Sequence, residues 1–220
     1  MSAEGNVFVD RMSPIDKRRF AALVYLEPEE LLRSIMPNVI GILQKQESVA
    51  DLPAQKKKEF LEKHQAGFFA FMMKHVGGEH ARITVCVNET DDFDCILKGE
   101  TERGTVYKPV QLKQLPSHQE NEDIDLQRVI DQLKIKYPTS TSLVVVIWIN
   151  RDIKLDFKDL TFEGLAIEQL WLLGDSGTGV ITLDGGPVIS LIDGIRRSAT
   201  MTNGTPSVRP IRFRDQLPNH

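Results

Sequence analysis

Apolar residues recur at helical spacing from Ser13 to about Gln44. Phe20, Leu23 and Val24 follow Pro14, and Leu31, Leu32 and Ile35 follow Pro28-Glu-Glu. Proline is tolerated in the first helical turn, so the pattern predicts two helices forming an N-terminal extension. After a polar break at residues 46–50, Asp51 is placed to cap a long helix. That helix carries Pro53, Phe60, Leu61, Phe69, Met72 and Met73 and ends near Gly77-Gly78. Three strands follow in the pattern, over residues 81–87, 92–98 and 105–115, separated by turn-forming Asn88-Glu-Thr-Asp and by residues 99–104. They read as an antiparallel meander. Ile124, Leu126, Val129, Ile130, Leu133 and Ile135 then predict a helix of about four turns. The run Leu-Val-Val-Val-Ile-Trp-Ile within 142–150 predicts a central strand covered on both faces. Residues 170–173 and 180–183 read as a hairpin joined through 174–179, 188–197 as a short helix, and the rest from Ala199 as a tail.

The order of helix, three strands, helix, strand, with additions at both ends, predicts an α/β (α+β) sandwich around a mixed sheet. Three regions are expected: a helical extension over 1–50, an α/β domain over 51–200, and a flexible, Arg-containing tail over 201–220. Length agrees with one core, because 220 residues are of the size that buries most of a single domain's apolar surface. At 41% hydrophobic and 26% charged residues, the chain has a globular composition.

Charge narrows the partners. The 27 basic residues against 31 acidic ones give −4, which excludes a globally cationic coat for nucleic acid. The balance is local, however: after Asp193 five arginines (196, 197, 209, 212 and 214) face only Asp215, a stretch suited either to phosphates or to a solvated end. No apolar run is long enough to span a bilayer and the N-terminus lacks a secretion pattern, so a cytoplasmic protein with no membrane partner is expected. Cys86 and Cys95 fall in predicted strands and read as buried free thiols.

The chemistry concentrates on two neighbouring strands. Side chains alternate along a strand, so Asp92 and Asp94 share one face of the second strand while Gln111 and Lys113 share one face of the third. If those faces coincide, hard oxygen donors and an ammonium lie within a few ångströms, which suits Mg²⁺ and the phosphates that replace its waters. The lysine could then orient or deprotonate an attacking water and stabilise charge on phosphorus. The plain structural reading is a polar hairpin in which Asp94 and Lys113 pair across strands for about 0.2–1 kcal/mol.

An Asp on one strand and a Gln-x-Lys on the next, inside helix-strand-strand-strand-helix-strand order over about residues 51–150, resembles the PD-(D/E)XK, or restriction-endonuclease-like, nuclease superfamily. The resemblance implies an α/β/α sandwich with core order αβββαβ and a Mg²⁺-dependent (or Mn²⁺-dependent) endonuclease acting on DNA. It assigns metal binding to Asp94 and Gln111, with Asp92 in support, and the catalytic lysine to Lys113. A helical carboxylate is also implied: Glu62, aligned with buried Ala66, Phe69 and Met73, or Glu59. The chain departs from the pattern in having no proline before Asp94 and Gln111 in place of an acid, which removes one negative charge from the site. A homodimer would suit cutting of both strands. The same fold without the chemistry would serve as a protein- or nucleic-acid-binding module.

Other motifs carry less. Gly174-Asp-Ser-Gly177 matches a serine-protease nucleophile segment, but its flanks do not, and it suits a turn. Asp175-Ser-Gly and Asp184-Gly-Gly likewise read as turns. The five histidines show no zincin spacing, and no P-loop is present.

Overall fold

The computed structural model describes residues 12–76, 81–87, 93–102, 104–117, 119, 121–149, 160–174, 187–190, 196–202 and 205–209. Helices α1 (Pro14–Ala21) and α2 (Pro28–Leu43) form the expected N-terminal pair, followed by α3 (Ala54–Val76). The meander is β1 (Arg82–Cys86), β2 (Cys95–Thr101) and β3 (Gly104–Leu115). Helix α4 (Leu126–Lys136) leads into β4 (Val144–Ile149) and β5 (Gln169–Gly174), and β6 (Pro187–Ser190), β7 (Arg196–Thr202) and β8 (Thr205–Arg209) complete the described elements.

Local chemistry explains the helix ends. Ser13 caps α1 by accepting from the Asp16 N–H at 3.2 Å, and Asp125 caps α4 by accepting from the Arg128 N–H at 2.7 Å. Lys134 and Lys136 in the last turn of α4 face the negative end of its dipole. Asp51 does not cap α3: it lies in the preceding turn, and the first helical carbonyl is that of Pro53, which accepts from the Lys57 N–H at 3.1 Å.

The eight strands among the described residues lie in one mixed sheet in chain order. Strands β1, β2 and β3 are antiparallel, β3, β4 and β5 are mutually parallel, and β5 to β8 are antiparallel again. Alternation along the strands sends two apolar sets to opposite faces. Val110, Leu112, Val144, Val146 and Trp171 join α2 and α3 in one cluster. Leu115, Val145, Ile147, Leu170 and Leu172 join α4 in another, and Phe20 of α1 adds a third with Cys86, Ile96 and Tyr107. Helices therefore cover both faces, and β4 is buried on both, as its β-branched run requires.

The N-terminal helices are integral to this core. Gly67 of α3 packs against α2 so closely that a Cβ there would lie 3.2 Å from side-chain atoms of both Leu31 and Leu32. Between α1 and α2, Leu26 exchanges two backbone hydrogen bonds of 2.9 Å with Val85 on β1. Cys86 and Cys95 are buried and free, and burial pushes the Cys95 thiol well above its usual range.

Two expectations fail towards the C-terminus. The described parts of the expected helix 188–197 are strand: β6 pairs with β5 and residues 196–198 of β7 pair with β6, so β6 occupies the place expected of 180–183, which lies outside the described residues, as do 191–195. A short apolar run cannot be assigned by periodicity alone, and Val188 and Ile189 are β-branched. The supposed tail likewise contributes β8 and the end of β7, where Thr200, Thr202, Thr205 and Val208 favour extended backbone. No helix among the described residues is long and apolar enough to cross a membrane.

Candidate active site

The site forms where β2 and β3 part company. Backbone pairing of these strands runs out at Cys95 and Val110, with the Asp94 N–H donating to the Val110 carbonyl at 3.1 Å. Just beyond, the Asp94 side chain takes over from the ladder. Its Oδ2 accepts from the Leu112 N–H at 2.6 Å and from Gln111 Nε2 at 3.0 Å. Lys113, two residues along the same face of β3, donates to Gln111 Oε1 at 3.2 Å. The three residues that strand alternation singles out thus lie together: Asp94, Gln111 and Lys113 form one continuous chain of hydrogen bonds.

A fourth member was not expected. The hydroxyl of Tyr137, directly after α4, donates to Gln111 Oε1 at 2.5 Å. Twenty-six residues separate the two in sequence, and their meeting depends on how α4 packs on the sheet, which no local pattern encodes. Gln111 is buried, and three of its hydrogen-bonding positions are occupied. Reversing its amide would set NH₂ against the Lys113 ammonium and an oxygen against the Asp94 carboxylate, so the partners' charges dictate its orientation.

Helix α3 supplies the opposite wall. Glu59, Glu62, Lys63, Val87 and Asp94 line an open pocket of about 20 Å³, room for a water molecule or a small cation. Both helical carboxylates also have local partners, Glu62 with Lys58 at 3.3 Å and Glu59 with Lys56 at 2.7 Å. The Lys56 contact holds the Glu59 carboxyl below its ordinary range. Burial draws Lys113 below the usual lysine value; the charge of Lys136 adds to this, while Asp94 and Glu62 oppose it. Asp92 lies outside the described residues.

Among the described residues, no group of three His, Cys, Asp or Glu side chains is placed to hold a metal ion. The donors at the pocket are nevertheless hard carboxylate oxygens, and Mg²⁺ is commonly bound by only one or two carboxylates while it keeps several waters. Asp94 and Glu62 fit that description. Gln111 does so less well, because Lys113 and Tyr137 already engage its carbonyl oxygen. Comparison with known protein-family models, curated proteins and solved structures finds no match for this chain.

Proposed function

We propose that the protein is a Mg²⁺-dependent nuclease with a restriction-endonuclease-like core, hydrolysing phosphodiester bonds in nucleic acid, DNA first among them. The observation that carries this reading is the joining of Asp94, Gln111 and Lys113 by hydrogen bonds of 3.0 and 3.2 Å beside a pocket that Glu62 also lines. Support also comes from the order of α3, the β1–β3 meander, α4 and parallel β4, which agrees with the αβββαβ core of that superfamily.

In this reading Asp94 and Glu62 hold the cation, which when bound supplies Lewis-acid charge to the phosphate. Lys113 works on the water and on the phosphoryl oxygens. The downward shift enlarges the share of neutral amine, the only form that can accept a proton from water, and in its charged form the group stabilises the developing anion. Gln111 keeps the Lys113 ammonium on the Asp94 side of β3.

One observation favours a second reading, a nuclease-like domain without chemistry that binds protein or nucleic acid. Asp94 Oδ2 already satisfies the Leu112 amide, a structural task that needs no catalysis. Cleavage of plasmid, single-stranded DNA and RNA in Mg²⁺ or Mn²⁺ separates the two. Metal-dependent cleavage lost in EDTA and in Lys113→Ala, with DNA affinity and folding retained, is the expected result. Folded protein that cleaves none of these substrates would establish the binding module instead.

A further inference from the structure

We infer that Tyr137 is a positioning residue of this site, and that Gln111 serves through it to hold Lys113 and Asp94 rather than to ligate the metal. The inference rests on the nuclease reading and goes past it, because the resemblance alone assigns Gln111 to the metal.

The two donors on Gln111 Oε1 come from different elements, Tyr137 from the end of α4 and Lys113 from β3 itself. Lys113 lies on the same strand two residues away and is joined by a long, flexible side chain; it could leave without changing the backbone. Tyr137 is the fixed partner. Its ring has only two side-chain torsions, and it packs against the α4 cluster. It therefore locks the amide with its oxygen towards Lys113 and its nitrogen towards Asp94. In that orientation the amide offers Asp94 a donor, and an N–H cannot bind a cation.

The same lock explains how a site with Gln in place of an acid can still organise a lysine. A carboxylate at 111 would attract Lys113 by charge alone. A neutral amide attracts it less and needs its oxygen aimed, which the Tyr137 hydroxyl does at 2.5 Å. Buried Gln111 then passes that orientation to Asp94 through Nε2. Three groups, Gln111, Lys113 and Asp94, are set by one phenol.

The test uses the full chain and two independent readouts. Mn²⁺ binding without nucleic acid is followed by electron paramagnetic resonance for wild type, Asp94→Ala, Gln111→Ala and Tyr137→Phe. Cleavage is measured on the substrate that wild type cuts, with kcat and KM separated. The expected result is that Asp94→Ala loses Mn²⁺ affinity by about tenfold or more, while Gln111→Ala and Tyr137→Phe stay within about threefold of wild type. Tyr137→Phe should nevertheless lower kcat by about tenfold with KM unchanged, since it misplaces Lys113 without removing a binding contact. Mn²⁺ affinity falling as far in Gln111→Ala as in Asp94→Ala would make Gln111 a ligand and overturn the inference. So would a Tyr137→Phe protein with wild-type kcat. Folded wild-type protein that cleaves nothing, whether or not it binds Mn²⁺, would instead end the nuclease reading, and this inference with it, whatever the variants do.

Discussion

Lys108 of β3 and Glu168, just before β5, form an ion pair sealed inside the protein, with side-chain exposures of 3% and 7%. It lies on the opposite face of β3 from Gln111, three residues back along the strand. Glu168 Oε2 is buried without a hydrogen-bond partner. A buried pair offsets much of its Coulomb attraction with desolvation, whereas removing one member strands the other charge. Lys108→Met or Glu168→Leu alone should therefore cost about 3–5 kcal/mol, and the double variant should recover most of that loss. Urea denaturation of the four proteins measures this coupling. Additive losses would mean that the two charges are stabilised by other neighbours.

Acid should destabilise the fold through His64. Burial between Phe68 and Trp148 lowers its pKa from 6.5 to about 4, with desolvation as the cause. Between those values the unfolded chain takes up a proton that the folded chain refuses. Stability from this residue is thus complete above pH 6.5 and declines as pH falls towards 4. Denaturation midpoints at several pH values across this window should fall less steeply in His64→Gln than in wild type. Parallel slopes would remove His64 from the account.

The crossing of α2 and α3 should resist even a methyl group. Alanine is favoured over glycine in a helix interior by about 1 kcal/mol. At Gly67 that gain meets three leucine atoms at 3.2 Å, contributed by two fully packed residues. Gly67→Ala is expected to be neutral or mildly destabilising, and Gly67→Val to cost about 1–3 kcal/mol from overpacking. An alanine variant stabilised by the full helix propensity would show that Leu31 and Leu32 yield freely. Because α3 carries Glu59 and Glu62, the valine variant should also disturb the pocket beside Asp94.

The sequence was most legible where one period dominated. The long apolar spacing of α3, the β-branched run of β4 and the meander of β1 to β3 could each be read from side-chain pattern, since each buries a continuous stripe. Asp94, Gln111 and Lys113 were legible for the same reason: alternation on two adjacent strands fixes their common face. Contacts between distant segments were not. Tyr137 meets Gln111 only because α4 docks on the sheet, and the ion pair of Lys108 with Glu168 spans 60 residues. In the β6 to β8 region the pattern does not carry, because the apolar runs are short and the partner strands define the region more than its own pattern does.

Strand β1 borders the sheet, and an unprotected border is a template on which another chain can pair. Leu26 meets that hazard by completing two backbone bonds with Val85. At the far border, β8 carries Pro206, a residue with no N–H to offer a newcomer. Leu26→Pro would withdraw one of the two bonds at the near edge, and light scattering should then show association that grows with protein concentration. A monodisperse variant would mean that β1 is shielded by other means. The short linker between α1 and α2 thus acts as a stopper against fibre-like stacking of one copy on the next.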